Sequence, residues 1–586
     1  MRIDTSNINT LWSSLIVEEL IRNGLDYFCV SPGSRSAPLA IAVARNPRAK
    51  SIIWYDERGA AFHALGYARA TRVPAPLICT SGTAVANYLP AVIEADANSI
   101  PMLILAADRP PELRQTGANQ TINQPNIFNE YVRWKFDMPC PDEKIPPEVI
   151  LTTADQAVFR SRRSPAGPVY LNCMFREPLA PINDSIQEGY HSHLTTWEKN
   201  QRPFTRYEYS LLTPSETTIR EVAATLNQTE RGIIVIGRLE SDADREAARR
   251  FGDTLNMLIF PDITSHCRLG PATRNIIPYF DHVLLDPQVG DMARPDTVLH
   301  IGGNITSKRF LEFLEKKPIK NYIVVKNHPF RHDPIHAVTT RIEADICTFC
   351  NCLLPRVIPH LNSHWQDEWI ARTHKVKMTV DEFFRGREEI SEPGVAYCIA
   401  QNIPENHGLF LGNSMPVRDM DMYGATDGAA VGVAANRGAS GIDGLVASAT
   451  GFMVGLNSPV TLLIGDLALL HDLSSLCRLT SIYQRLIIVV LNNHGGGIFS
   501  FLPVSQFEDV FESYFGTAHE FGFDKIAENF DLNYYQPKTN KAFLKDYTSA
   551  IGGDKSALIE IKTDRQRNWD LHQTLQATII KSLIIG

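Results

Sequence analysis

The sequence predicts an α/β protein made of three modules, each a doubly wound parallel sheet. Three observations carry that prediction. Short apolar runs alternate with helical patterns along the chain, and each strand-like run ends in a polar or glycine-rich loop. At 586 residues the length favours about three to four domains. A stretch near 180–215, rich in Pro, Asn, Ser and Thr, separates the first alternation from the second. The expected modules are 1–180, 181–355 and 356–586, the strand and helix alternation of the third beginning near Glu392.

The first module opens with a helix over 10–23, stopped by Gly24, and a strand over 27–30. The loop 31–38 (Ser-Pro-Gly-Ser-Arg-Ser-Ala-Pro) follows, with Arg35 its one cation. A strand over 51–55 leads into Asp56-Glu57-Arg58-Gly59 and a helix over 60–70. After a strand over 77–79, the run 80–87 (Thr-Ser-Gly-Thr-Ala-Val-Ala-Asn) enters a helix, an arrangement suited to an anion at a helix N-terminus. The strand 102–106 ends in Ala-Asp-Arg109-Pro-Pro, with Gly117-Ala-Asn-Gln120 shortly after. One edge therefore collects Arg35, Glu57, Arg109, Asn119 and Gln120. The second module repeats the alternation without a Gly-x-Gly-x-x-Gly, which weakens a dinucleotide reading. Its loop Thr306-Ser-Lys308-Arg309 carries two adjacent cations, which on their own read as a solvated surface.

The third module runs through a strand at 408–411, the loop Gly412-Asn413-Ser414-Met-Pro-Val-Arg418, and Ala435-Asn-Arg437-Gly-Ala-Ser-Gly-Ile-Asp-Gly444 opening a small-residue helix. Its organising unit is 459–501: strand 460–464, Gly465-Asp466, a helix from about 469 to 477, strand 486–491, then Asn492-Asn-His-Gly-Gly-Gly497. Two parallel strands joined by a helical crossover place Asp466 and Asn493 at carboxyl ends, where open α/β sheets hold ligands. Either turn alone reads as ordinary turn chemistry. Together they offer a carboxylate, an amide oxygen and a backbone carbonyl, the oxygen donors a hard cation such as Mg²⁺ takes beside a phosphate.

Composition sets bounds. Lys and Arg total 57 against 65 Asp and Glu, a net charge of −8, so neither nucleic acid nor an anionic membrane is favoured as partner. The start lacks a signal-peptide core and no apolar run approaches the ~18 residues of a membrane span, so a cytoplasmic location is expected. The ten cysteines fall mostly in apolar runs. Cys347, Cys350 and Cys352 lack a second Cys or His pair at ligand spacing, and their neighbours Ile346, Phe349 and Leu353 follow a helical face, which disfavours a metal site there.

Gly465-Asp466 followed by Asn492-Asn493 resembles the diphosphate-anchoring motif of thiamine diphosphate enzymes, although most of them carry Gly where this chain has Leu467. The resemblance implies a thiamine diphosphate-binding fold in which Asp466, Asn493 and the Gly495 carbonyl hold Mg²⁺ or Mn²⁺ on the diphosphate. Glu57 would hydrogen-bond the aminopyrimidine ring, favouring the tautomer that deprotonates the thiazolium. The longer runs 31–38, 56–60, 80–87, 107–114, 117–120, 306–309, 436–444, 465–467 and 496–500 are similar to the 2-succinyl-5-enolpyruvyl-6-hydroxy-3-cyclohexene-1-carboxylate synthases, a family that carries Leu after the motif Asp. That family serves menaquinone biosynthesis, decarboxylating 2-oxoglutarate and adding the succinyl carbanion to isochorismate.

The closer resemblance also distributes roles. Glu57, Arg35, Gln120 and Arg437 would be catalytic. Thr83, Ser414, Ser440, Gly441, Ile442, Leu467, Ile498 and Phe499 would contact the cofactor, Ile442 from beneath it. Arg418 and Arg437, with Asn413 and Ser414, would serve the succinyl side. Ser34, Arg35, Arg109, Asn119, Gln120, Lys308 and Arg309 would serve isochorismate, and Ile498, Phe499 and Leu502 would line an apolar wall. The family pairs the first module of one chain with the third of another, implying a homodimer or a dimer of dimers. Three retained substrate carboxylates account for six loop cations in an acidic protein. The rival, an acetohydroxyacid synthase-like enzyme or decarboxylase acting on another 2-oxo acid such as pyruvate, leaves those cations unexplained. A non-catalytic cofactor binder would be expected to lack Glu57 or Asp466.

Overall fold

The computed structural model describes residues 3–286, 289–290 and 294–584. Apolar runs at the expected places form three sheets in which every pairing is parallel. The first contains β1 (Tyr27–Val30), β2 (Lys50–Ile53), β3 (Leu77–Cys79), β4 (Met102–Asp108), β5 (Trp134–Met138) and β6 (Pro168–Met174), in the order β2-β1-β3-β4-β6-β5. The second contains β7 (Gly232–Ile236), β8 (Leu258–Pro261), β9 (Thr297–Ile301), β10 (Asn321–Lys326) and β11 (Thr340–Glu343), ordered β11-β10-β9-β7-β8. The third contains β12 (Gly408–Leu411), β13 (Gly432–Ala435), β14 (Val460–Gly465), β15 (Leu486–Asn492), β16 (Asn533–Tyr535) and β17 (Ala557–Lys562), ordered β13-β12-β14-β15-β17-β16. The first and third sheets thus share one topology. In each, the strand order reverses beside the first strand, and that crevice is where such sheets take ligands.

The chain forms two compact units: Met1–Tyr209 with Asn436–Asn457 and His471–Gln484, and Ser210–Ala435 with Ser458–Leu470 and Arg485–Gly586. In the first, the helices Glu57–Thr71 and Leu445–Leu456 pack backbone to backbone. A Cβ on Gly66 would lie 1.9 Å from the Ser448 carbonyl oxygen, and one on Gly451 would lie 1.9 Å from that of His63. Only glycine admits that approach from both sides. The polar stretch after residue 180 is no bare tether: Tyr190, Leu194 and Trp197 are buried in this unit's core. Trp197 Nε1 donates to Glu19 Oε2 at 2.6 Å, and Trp12 Nε1 donates to the Tyr190 hydroxyl at 3.0 Å.

In the second unit one apolar core runs from Ile233 and Phe260 through Trp369 to Leu409, Val489 and Ile559. Phe260 stacks on Phe280 with centroids 4.9 Å apart. The helix His364–Arg385 starts in a capping box between Ser363 and Gln366.

Local boundaries differ from expectation at several strand and helix ends, and three of these differences bear on the site. β2 stops at Ile53, and the next helix starts at Glu57 rather than residue 60, because the Asp56 side chain accepts the Arg58 N–H at 2.9 Å and caps it. The single helix expected over 469–477 is instead an α-helix Asp466–His471 followed by a 3₁₀ run Leu473–Ser481. The third is β14, which extends to Gly465. Cys347, Cys350 and Cys352 lie on the helix Ile346–Leu353, and no group of three metal-type side chains occurs among the described residues. No helix among them is long and apolar enough to cross a membrane.

Candidate active site

In the first unit the expected residues gather at the carboxyl edge of the first sheet. Glu57 occupies the first turn of its helix, half-buried. Burial raises its carboxyl pKa above the ordinary value, the charge of Asp56 adding to the effect, while its own backbone N–H opposes it. The corner is braced by Ser474 Oγ, which donates to Asp56 Oδ2 at 2.8 Å, and by Arg58, whose Nη2 donates to the His471 carbonyl at 2.8 Å.

Arg35, after β1, is only 5% exposed, which for a guanidinium demands an anionic or carbonyl partner. Its Nη1 donates to the Phe175 carbonyl at 2.9 Å, and its Nη2 lies 3.3 Å from the exposed Glu177. Burial, and then repulsion from neighbouring Arg109, lower its pKa. Both Arg35 and Arg109 have a buried Nε without a partner. Ser34 precedes Arg35 in the same loop and is exposed. Thr83, Asn119 and Gln120 are exposed, and Gln120 takes a left-handed φ of 52° against Gly82.

The 436–444 loop belongs to the same unit. Glu94, 3% exposed, accepts the N–H groups of Gly438 at 2.9 Å and Ala439 at 2.7 Å, and pairs with Arg69 at 3.3 Å. This clamp sets the path of the backbone past Arg437, Ser440 (φ 60°), Gly441 and Ile442, which stays 40% exposed although apolar. Glu94 was not legible as a site residue, since a helical Glu carries no signal of what it will hold.

The second unit holds the other cluster. Asp466, 2% exposed, starts its helix; its Oδ1 accepts Leu467 N–H at 2.6 Å and its Oδ2 accepts Gly495 N–H at 3.0 Å. His519 Nε2 stands 3.3 Å from the same carboxylate. Burial raises the Asp466 pKa against the pull of those backbone donors. Asn493 donates its Nδ2 to Glu392 Oε1 at 2.9 Å, while its Oδ1 is buried with no partner. Gly495 has φ 150°, and a Cβ there would lie 2.2 Å from the Gly516 carbonyl, so the chain must be bare at that point. One carboxylate, one unpaired amide oxygen and a nearby backbone carbonyl suit a hard divalent cation, with positions left for phosphate oxygens.

After β12, Asn413 is buried and Ser414 holds φ 73°, a costly conformation for a non-glycine residue. Arg418 Nη1 donates to the Ser414 carbonyl at 2.6 Å. Ile498 and Phe499 are half-buried on the 3₁₀ turn Gly497–Phe501, and Leu502, just past it, is 44% exposed. Lys308 projects into solvent and pairs with Glu312 at 3.2 Å, whereas Arg309 is held by Asp281. Glu392, missed by sequence reasoning because an acid opening a helix is commonplace, is fully buried. Its pKa is pushed up to about 7 by that burial, with the charge of Asp419 adding and bonds from Asn493 and Thr563 opposing.

Three family models match: "Thiamine pyrophosphate enzyme, N-terminal TPP binding domain" over 12–127, "Middle domain of thiamine pyrophosphate" over 188–411, and "Thiamine pyrophosphate enzyme, C-terminal TPP binding domain" over 428–561. The chain is 48% identical over 575 residues, 98% of its length and 99% of the relative's, to the 2-succinyl-5-enolpyruvyl-6-hydroxy-3-cyclohexene-1-carboxylate synthase of Rubrobacter xylanophilus. It is 43% identical over 586 residues to the same-named protein of Salinibacter ruber, covering 100% of this chain and 99% of that one. The same-named protein of Prosthecochloris aestuarii is 44% identical over 577 residues, 98% of each chain.

Proposed function

Because the chain belongs to the family of 2-succinyl-5-enolpyruvyl-6-hydroxy-3-cyclohexene-1-carboxylate synthases, we propose that it decarboxylates 2-oxoglutarate and joins the four-carbon remainder to isochorismate. It is a thiamine diphosphate-dependent transferase of menaquinone biosynthesis, and we place it in the cytoplasm. When bound, the cofactor supplies the electron sink for the pair left behind by CO₂. Asp466, Asn493 and the Gly495 carbonyl hold Mg²⁺ or Mn²⁺ on its diphosphate. Leu467, Thr83, Ser414, Ser440 and Gly441 contact the cofactor, Ile442 supports it, and Ile498, Phe499 and Leu502 wall the site against water. Glu57, whose carboxyl pKa burial raises, would share a proton with the aminopyrimidine ring nitrogen.

The remaining side chains sort the carboxylates. Arg418 and Arg437, with Asn413 and Ser414, take the 2-oxoglutarate side. Ser34, Arg35, Arg109, Asn119, Gln120, Lys308 and Arg309 take isochorismate. The observation that carries this reading is the buried Arg35 beside Arg109, two mutually repelling guanidiniums that each keep an unpartnered Nε. A dicarboxylate entering there relieves the repulsion and fills the vacant donors bidentately. Pyruvate retains no carboxylate after losing CO₂, so it would give the donor-side cations Arg418 and Arg437 no substrate carboxylate to bind. The test is CO₂ release from a panel of 2-oxo acids in the presence of thiamine diphosphate and Mg²⁺. Release from 2-oxoglutarate far above that from pyruvate is expected; the reverse order refutes the assignment.

We further propose that the active unit is a homodimer or a dimer of dimers, Glu57 of one chain and Asp466 of the other serving one cofactor. Mixing Glu57→Gln chains with Asp466→Ala chains then restores up to about half the sites in each heterodimer, by two-fold symmetry. Demonstrated subunit exchange without recovery contradicts the pairing.

A further inference from the structure

We infer that Glu392 is a positioning residue that fixes which end of the Asn493 amide is presented to the metal; this rests on the reading of Asn493 as a ligand. An asparagine side chain has a donor end and an acceptor end of nearly identical shape, and only its surroundings choose between them. Glu392 Oε1 accepts from Thr563 Oγ1 and remains an acceptor even when the other carboxyl oxygen carries a proton, so at 2.9 Å from Asn493 it takes the Nδ2 end. Oδ1 is thereby turned away from Glu392, and it is the buried oxygen without a partner.

Glu392 is itself held still. It is 1% exposed and opens the helix Glu392–Asn402 behind the Ser391 cap, and Thr563 Oγ1 donates to the same Oε1 at 3.0 Å. The neighbouring amide is a contrast built from the same parts. Asn492 Nδ2 donates to Glu560 Oε1 at 2.7 Å and to the Phe521 carbonyl at 3.0 Å, but its oxygen is used, accepting His494 N–H at 3.3 Å. Two adjacent asparagines are each oriented by a glutamate, and only the Asn493 oxygen is left over for something else.

The test is Mn²⁺ affinity of the full-length protein in the presence of thiamine diphosphate, read by electron paramagnetic resonance. Glu392→Gln retains an acceptor of the same shape and is expected to bind Mn²⁺ within about threefold of the wild type. Glu392→Leu, for which an adjoining cavity of about 360 Å³ leaves space, is expected to lose at least about tenfold. Equal losses in both variants would mean that Glu392 acts through its charge, which overturns the inference. The decisive variant is Glu392→Leu combined with Asn493→Asp. A carboxylate has no wrong end, so affinity is expected to return to near wild type, whereas a loss that persists assigns Glu392 a merely structural role. Asn493→Ala separates the two levels. Wild-type affinity in that variant refutes the ligand reading and this inference with it. A loss there alongside unchanged affinity in Glu392→Leu refutes this inference alone.

Discussion

Gly66→Ala should destabilise the protein, although alanine is the better helix former. The new Cβ would lie 1.9 Å from the Ser448 carbonyl oxygen and 2.9 Å from the Phe452 nitrogen, both backbone atoms that no rotamer change can move. Carbon–carbonyl oxygen contacts lie at about 3.3–3.6 Å, so the helices Glu57–Thr71 and Leu445–Leu456 must part by about 1.4 Å or more. Overpacking of this kind costs ~1–3 kcal/mol, and rigid backbone places it at the upper end. Alanine in a helix interior returns about 1 kcal/mol. The net loss is then about 2 kcal/mol, a fall of roughly 4–8 °C in the melting temperature of a unit this size. Gly552→Ala is the control: it closes the helix Asn540–Gly552 with nothing within 4 Å of its Cβ, and should be neutral or stabilising. Calorimetry of both variants is the assay. Gly451→Ala should behave like Gly66→Ala, and the double variant should cost less than the sum, because one separation relieves both clashes. A Gly66→Ala protein as stable as the wild type would refute the backbone-to-backbone packing.

Three further outcomes are expected. Glu57→Gln should lose at least about 100-fold in turnover while its melting temperature stays within a few degrees, since proton transfer is what the side chain provides; near-normal turnover in the folded variant removes that role. Arg109→Ala should chiefly raise the KM for isochorismate and Arg437→Ala that for 2-oxoglutarate, by up to ~2–5 kcal/mol where a carboxylate is left unpaired; equal effects on both constants in both variants contradict the division. His63, fully buried between the Tyr27 hydroxyl at 2.9 Å and Thr450 at 2.9 Å, has its pKa lowered to about 3 by burial. A folded pKa below the unfolded value gives stability that is present above about pH 6.5 and is lost as pH falls toward 3, by at most ~1.4 kcal/mol per pH unit. The stability difference between the wild type and His63→Gln should shrink over that window, and parallel curves would exclude the titration.

The sheets were legible because a buried parallel strand is a continuous apolar run, and Val460–Gly465 and Leu486–Asn492 are such runs. The loop residues were legible because glycine, asparagine and aspartate cluster only where the backbone turns. The shared strand order of the first and third sheets was not, since topology depends on which runs neighbour each other and leaves no repeat in the residues. The small residues of Leu445–Leu456 announced a close approach without naming the partner helix. The stretch after residue 180 read as a boundary because its anchors, Tyr190, Leu194 and Trp197, are isolated among polar residues. Glu94 and Glu392 escaped notice because their importance lies in what accepts and donates around them, which is set by the fold alone.

The central claim is tested most directly by the mass of what the protein makes. Purified chain supplied with thiamine diphosphate, Mg²⁺, isochorismate and 2-oxoglutarate labelled with ¹³C at every carbon should release one labelled carbon as CO₂. The other four should appear in a product that contains the whole isochorismate skeleton. Labelled CO₂ with no four-carbon transfer to isochorismate, or transfer from pyruvate in preference, would contradict the account.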